Sequence, residues 1–167
     1  QVLVQRKPDN WRRMTLDDIK EKLVQDPLDL IGDTVSVRKN SNYYDRLTNL
    51  SKEIGGDIVI KTLEGTISTD EIIKMVADGK IKYTLSNKNL ASINASYYPM
   101  LDISVPMSSS QRIAWAVRSN SPELLAAINT WLKSQNRKTD YNVIYNKYFK
   151  NKRKYRSRVK SDFYSIN

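Results

Sequence analysis

The sequence predicts an α/β fold in which a mostly parallel sheet is flanked by helices. Short apolar segments with the two-residue period of strands alternate with segments that have the spacing of amphipathic helices. This alternation is typical of domains built around a parallel sheet. Helix boundary signals separate the segments: Ser68 and Glu71 match a capping box, and Gly79 follows as a helix stop.

Five elements are predicted in the first part of the chain. The predicted strands are 1–6, 34–37 and 57–63, and the predicted helices are 16–25 and 42–54. Thr15 can cap the first helix and Ser41 or Asn42 the second, because their side-chain oxygens can accept hydrogen bonds from first-turn N–H groups. Pro27 ends the first helix, and the glycine pair 55–56 ends the second.

The same alternation continues to the end of the patterned region. Strands are predicted at 80–85, 101–105 and 112–117, and helices begin near residues 68, 87, 121 and 139. Segment 112–117 is almost continuously apolar, which predicts a strand covered on both faces. We therefore expect Trp115 in the core, and also Trp131 on the amphipathic helix that follows.

Composition excludes several classes of function. Histidine and cysteine are absent, which excludes disulfides, zinc sites built from these residues, and catalytic triads that need either one. The acidic pairs 17–18 and 70–71 lie in first turns of predicted helices, where they complement the helix dipole. No apolar segment approaches membrane-spanning length. We expect a non-catalytic chain without metal or cofactor.

The net charge of +10 is concentrated near the C-terminus. Eight basic residues and no acidic residue lie between Lys147 and Lys160, which leaves the rest of the chain near neutrality. Periodicity stops after Phe149, so residues 150–167 are interpreted as a basic tail or linker. One alternative function is therefore binding of an anionic polymer or nucleic acid through this tail. The balanced body argues against a specific nucleic-acid binder.

Two loops are candidates for a ligand site, because ligands of such sheets bind beyond the carboxyl ends of strands and against helix N-termini. The first candidate loop contains Lys39, Asn40, Ser41, Asn42 and Tyr43. The second candidate loop contains Ser86, Asn87, Lys88 and Asn89. In both loops the alternative interpretation is an ordinary helix cap that contacts no ligand.

The longest informative stretch also resembles a known family. It reads EIIKMVADGKIKYTLSNKNLASINASYYPMLDISVPMSSSQRIAWAVR. A helix ending MVA-x-G, a strand with Y-T, a helix with an N-x-x-YYP tail and a strand ending A-W-A resemble the second lobe of amino-acid-binding periplasmic solute-binding proteins of family 3. The form fused to membrane-bound lytic murein transglycosylase F is most similar. The similarity extends from residue 1 to about 149.

The resemblance implies a type II periplasmic-binding-protein lobe over 1–149, with hinge strands and two C-terminal helices. Residues 150–167 would then link it to a catalytic domain outside this chain. The implied hinge residues are Val4, Gln5, Arg6, Ile113, Ala114 and Trp115. The implied parent is a periplasmic peptidoglycan lytic transglycosylase, associated with the outer membrane through other segments. The Glu-Ser helix start of its lysozyme-like domain does not occur here.

The candidate loops depart from the family pattern at two positions. The family usually has glycine where Asn40 stands, although Ser41 keeps the hydroxyl and asparagine tolerates positive φ. Relatives commonly have an aspartate at the position of Asn87, which pairs with the ammonium group of an amino acid. Because that carboxylate is missing and Lys88 adds positive charge, an acidic, amidated or sugar-peptide ligand fits better than a free α-amino acid.

The resemblance predicts a ligand-binding, regulatory module that senses a peptidoglycan fragment or an amino-acid-like solute. The alternative within the same fold is a free periplasmic transport receptor for amino acids. In the family, the helices after residue 121 pack on the first lobe. We therefore expect their apolar stripe either to repack on this lobe or to pair two chains. The stripe contains Leu124, Leu125, Ile128, Trp131 and Leu132.

Overall fold

The computed structural model describes residues 1–109, 114–135 and 139–147. The chain divides into two compact units, Gln1–Ser110 and Gln111–Asn167. The predicted tail at 150–167, the boundary before it and Phe149 lie outside the described residues. No helix among the described residues is long and apolar enough to cross a membrane.

The first unit contains five strands and four α-helices among its described residues. The strands are β1 Val2–Arg6, β2 Thr34–Arg38, β3 Val59–Leu63, β4 Tyr83–Ser86 and β5 Leu101–Asp102. The helices are α1 Leu16–Glu21, α2 Asn42–Ile54, α3 Thr69–Ala77 and α4 Lys88–Tyr97, with 3-10 turns at Trp11–Arg13 and Pro27–Leu30. The second unit contains α5 Pro122–Gln135 and α6 Thr139–Tyr145.

The sheet has the strand order β3-β2-β4-β1-β5. Strand β2 is parallel to β3 and β4, whereas β1 is antiparallel to both β4 and β5. Four strands therefore share one direction and only β1 is reversed, so the sheet is mixed. The predicted α/β class with a mostly parallel sheet flanked by helices is confirmed. Helices α2 and α3 supply the crossovers that parallel neighbours require.

Both faces of the sheet are buried. Leu3 belongs to a core cluster that includes Val35 and Leu47, whereas Val2 and Val4 belong to a second cluster with Ile73. Successive side chains of a strand point to opposite faces, so β1 contributes to both clusters in alternation. This two-sided burial fixes the strand register, because a one-residue slip would exchange the faces.

Several element boundaries differ from the prediction. Helix α1 ends at Glu21 and the next turn begins at Pro27. Strands β3 and β4 begin later than predicted, at Val59 and Tyr83, and β5 covers only Leu101–Asp102. The predicted capping box at α3 and the predicted cap Thr15 at α1 are confirmed, since each cap side chain accepts a hydrogen bond from a first-turn N–H.

The predicted buried strand at 112–117 is wrong for the part that is described. Residues 114–117 form no helix or strand, and Trp115 is 62% exposed. Trp131 is 52% exposed, so neither tryptophan is a core residue. The two rings instead stack on each other, with centroids 6.1 Å apart and planes inclined by 25°. An apolar segment forms a buried strand only where it can pair with a neighbouring strand. No described strand pairs with 114–117.

In the apolar stripe of α5, three residues are exposed and the other two, Ile128 and Leu132, are half-buried. Leu124 and Leu125 are 51% and 43% exposed, and α5 contains no buried residue. Leu124 and Leu125 therefore do not meet the expectation that this stripe repacks on the lobe. Pairing of two chains through the stripe stays a prediction.

Candidate functional site

The two candidate loops leave neighbouring strands at one edge of the sheet. Strands β2 and β4 are parallel neighbours, with Val35 opposite Tyr83. Because parallel neighbours end at the same edge, the loop after Arg38 and the loop after Ser86 lie side by side there. Each loop leads directly into a helix, α2 or α4. The edge thus brings two helix N-termini together, as the sequence predicted.

The first loop is a tight turn closed by its own side chain. Asn40 has φ of 56°, the left-handed conformation that was expected where the family has glycine. Ser41 is buried, and its hydroxyl donates a 2.7 Å hydrogen bond to the carbonyl oxygen of Arg38. Ser41 occupies the N-cap position of α2 but makes no side-chain cap hydrogen bond. Its hydroxyl therefore stabilises the loop rather than the helix end.

In the second loop, the amide side chain of Asn87 makes no hydrogen bond to the helix that follows. Asn87 occupies the N-cap position of α4, yet its side chain makes no cap hydrogen bond. Ser86 is fully buried and its hydroxyl donates to the carbonyl oxygen of Asn87 at 3.2 Å. Asn87 therefore holds the N-cap position without the side-chain hydrogen bond that usually accompanies it. Asn87, Lys88 and Asn89 are exposed at the edge.

A tyrosine joins the two loops. The backbone N–H of Asn87 donates to the phenol oxygen of Tyr43 at 3.3 Å, across 44 residues of sequence. Tyr43 is 7% exposed and packs in the core cluster on its face of the sheet. Its role is therefore to hold the start of α4 next to the start of α2. The phenol O–H remains able to donate a second hydrogen bond.

The edge is positive and contains no carboxylate in either loop. Residues 38–43 and 86–89 include Arg38, Lys39 and Lys88 but no acidic residue. First-turn N–H groups of a helix have no intrahelical acceptor and carry partial positive charge. Lys39, Asn40 and Asn42 are exposed beside them. Chemically, the two loops suit a carboxylate or another polar, electron-rich group, and the first turn of α2 adds one exposed carboxylate, that of Asp45.

Comparison with curated proteins gives consistent relatives. A protein of Desulfosudis oleivorans called membrane-bound lytic murein transglycosylase F is 33% identical over 123 residues, which is 74% of this chain. A protein of the same name from Aeromonas salmonicida is 35% identical over 90 residues, or 52% of this chain. The chain is a homologue of the membrane-bound lytic murein transglycosylase F proteins. No protein-family model matches it.

The chain corresponds to a minor part of these transglycosylase F proteins. It spans 27% of the Desulfosudis oleivorans protein and 18% of the Aeromonas salmonicida protein.

Solved structures identify the fold of this transglycosylase F homologue. An ancestral arginine-binding protein bound to arginine matches 89% of the chain with a TM-score of 0.61 and 21% identity, over 59% of its own length. The second substrate-binding domain of Lactococcus lactis GlnP, in an open conformation, matches 89% with a TM-score of 0.60 and 17% identity, over 57% of its own length. The fold is that of type II periplasmic binding proteins.

The implied hinge residues of β1 lie inside the sheet. Val4 and Gln5 are buried and paired with β4, and Gln5 also pairs with β5. The Gln5 side chain is fixed as well, because its amide oxygen accepts from the N–H of Val24 at 3.0 Å and its amide nitrogen donates to the carbonyl of Val24 at 2.9 Å. Paired strand residues cannot rotate freely, so this environment does not favour a hinge at Val4–Arg6.

The remaining implied hinge residues lie in the second unit. Ala114 and Trp115 are exposed, and Ile113 lies outside the described residues. The hinge role of all six residues stays a prediction. Among the described residues, no group of three or more acidic side chains could hold a metal ion.

Sequence reasoning missed one cavity of the first unit. A cavity of about 310 Å³ lies at the opposite edge of the sheet and is lined by Arg6, Lys22, Lys80 and Lys82, together with Gln5, Leu23, Gly79, Ile81 and Tyr83. These residues come from three separate segments, and none of those segments has an unusual local composition. No local signal in the sequence could have identified the cavity.

Proposed function

We propose that this chain is the non-catalytic, ligand-binding lobe of a periplasmic lytic murein transglycosylase F-like enzyme. Its ligand-contacting surface is the edge formed by the two candidate loops. The observation that carries the proposal is the hydrogen bond from Asn87 N–H to Tyr43, which holds two helix N-termini side by side. The named relatives support the parent enzyme, and the matched solute-binding fold supports binding of a small solute.

The chemistry of the edge favours a ligand that contributes negative charge. Two helix N-termini, Lys39 and Lys88 all attract an anion, and neither loop supplies a carboxylate for an ammonium group. A peptidoglycan peptide carries carboxylates and amide groups, which fit these donors. An α-amino acid would leave its ammonium group without a charged partner, at a cost in desolvation. We therefore place a muropeptide ahead of a free amino acid.

The test is a titration of the isotopically labelled chain followed by backbone amide NMR. Muramyl dipeptide is expected to shift amide signals of both loops at millimolar concentrations, and L-arginine is expected to shift them less. Millimolar binding is the range expected where only one surface of a cleft contacts the ligand. Unchanged loop signals with muramyl dipeptide would contradict the proposal.

A variant that adds one negative charge tests which residue sets the preference. Asn87→Asp restores a carboxylate beside the α4 N-terminus, so L-arginine binding should strengthen by about tenfold while muramyl dipeptide binding weakens. Asn49→Asp is the matched control, because Asn49 is an exposed asparagine on α2 that undergoes the same charge change outside the two loops. Equal effects in both variants would show that net charge, rather than the loop, governs binding.

A further inference from the structure

The cavity opposite the candidate loops is unusually positive for a neutral unit. Residues 1–110 contain fifteen lysines and arginines and fifteen acidic residues. The cavity lining nevertheless contains four basic residues and no acidic one. Basic side chains therefore converge here through the fold rather than through an overall basic composition. A recess lined by several cations presents charged hydrogen-bond donors to an anion.

Three of the four cations form ion pairs with carboxylates that do not line the cavity: Arg6 with Asp9, Lys82 with Asp33, and Lys80 with Asp78 at 3.8 Å. The Arg6 guanidinium contacts the Asp9 carboxylate at 2.6 Å, and it also lies against Gly79, where an added Cβ would come within 2.8 Å of Nη1. Gly79 has φ of 74°, so both its conformation and this contact favour glycine. The arginine is thus positioned at the cavity wall by a carboxylate that does not line the cavity.

Lys82 is held in a similar way. Its ammonium group donates to both carboxylate oxygens of Asp33, at 2.7 and 2.9 Å, and lies 4.9 Å from the ring centroid of Tyr83. The hydrogen bond with Asp33 raises the pKa of Lys82, so its charge persists in the neutral range. Burial raises the pKa of the Tyr83 phenol, which therefore remains an O–H donor there. The wall offers positioned donors in addition to charge.

We propose that this cavity binds a phosphate monoester, with Arg6, Lys22, Lys80 and Lys82 as its cationic contacts. Arginine and lysine donors from several directions match the tetrahedral oxygens of a dianion better than a single planar carboxylate. A volume of about 310 Å³ accommodates a small ligand. The cavity lies at the start of β4, whereas the candidate loops lie at its end, so the two sites are separate.

The first experiment is an amide NMR titration of the chain with glycerol 3-phosphate, with glycerol and acetate as comparison ligands. Glycerol 3-phosphate is expected to shift the signals of residues 79–83, and the comparison ligands are not. Parallel titrations with phosphatidylcholine vesicles, with and without phosphatidic acid, distinguish a soluble ester from a lipid headgroup. Binding of either phosphate source at 79–83 supports the proposal. Absence of shifts from both sources would overturn it.

The second experiment compares two double variants with the same loss of charge. Lys22→Gln with Lys80→Gln removes two cavity cations, whereas Lys52→Gln with Lys61→Gln removes two exposed cations of α2 and β3 that do not line the cavity. We expect phosphate affinity to fall by about tenfold or more in the first variant and to stay within about twofold in the second. Equal losses would overturn a local site.

Discussion

Helices α2 and α5 have similar apolar stripes but opposite environments. In α2, Leu47 is fully buried and Leu50 is 4% exposed, and both belong to a core cluster. In α5, Leu124 is 51% exposed and no described residue is buried. An amphipathic pattern shows that a helix face requires apolar cover, but it does not supply the covering surface. The burial of a stripe therefore depends on tertiary structure.

The largest expected effect is on the free energy of unfolding when one leucine in each stripe is truncated to alanine. Leu47→Ala should lower the free energy of unfolding by about 2–5 kcal/mol, because it removes a fully buried side chain and leaves a cavity. Leu124→Ala should change it by no more than about 0.5 kcal/mol, as an exposed side chain makes few contacts. Urea denaturation monitored by circular dichroism measures both. A comparable loss in the Leu124 variant would mean that the α5 stripe is covered in solution.

The second test concerns pairing of two chains through the α5 stripe. Light scattering during size-exclusion chromatography should show association that increases with concentration, because an apolar patch of this kind is rarely left in water. Trp131→Glu should abolish this association. Leu28→Glu is the control, since Leu28 is a similarly exposed apolar residue in the first unit. A monodisperse monomer at all concentrations would contradict the prediction.

A smaller difference in the free energy of unfolding is expected between substitutions of Ser68 and Asn87, which the sequence predicts as similar N-cap residues. The Ser68 hydroxyl accepts from Glu71 N–H, whereas Asn87 makes no side-chain cap hydrogen bond. Ser68→Ala should therefore lower the free energy of unfolding by about 1 kcal/mol, and Asn87→Ala by no more than a few tenths. Chemical denaturation of both variants provides the comparison. A cost for Asn87→Ala as large as that for Ser68→Ala would show that Asn87 acts as a cap in solution.

The smallest expected effect is a pH dependence at the same capping box. Hydrogen bonds from the backbone N–H of Ser68, and then from its hydroxyl, hold the pKa of Glu71 below its ordinary value. The stabilisation is therefore present above the ordinary glutamate pKa and is lost as the pH falls through the lower folded pKa. Thermal melts of Glu71→Gln should show a weaker acid dependence than the parent chain. Glu64→Gln, at an exposed position outside any helix or strand, is the control, and an equal change there would contradict this assignment.

The candidate site was only partly predictable from sequence. The positions of both loops follow from local signals, because strand periodicity and N-cap residues act over a few neighbouring residues. The left-handed conformation of Asn40 was expected from the glycine that the family has there and from the tolerance of asparagine for positive φ. The roles of the side chains were not predicted: the Ser41 hydroxyl bonds to its own loop, and the Asn87 side chain makes no cap hydrogen bond. Which hydrogen bonds these side chains form depends on the other donors and acceptors within reach, and a local sequence pattern does not show them.

The sequence by itself determined the α/β class, most of the helices and the glycine and asparagine turns, since these depend on interactions within about one helical turn. Tertiary structure decided the insertion of the reversed strand β1 between β4 and β5. It also decided the hydrogen bond between Asn87 and Tyr43 and the convergence of four cations on one cavity. These features join residues that are distant along the chain, and only the packing of the sheet brings such residues into contact.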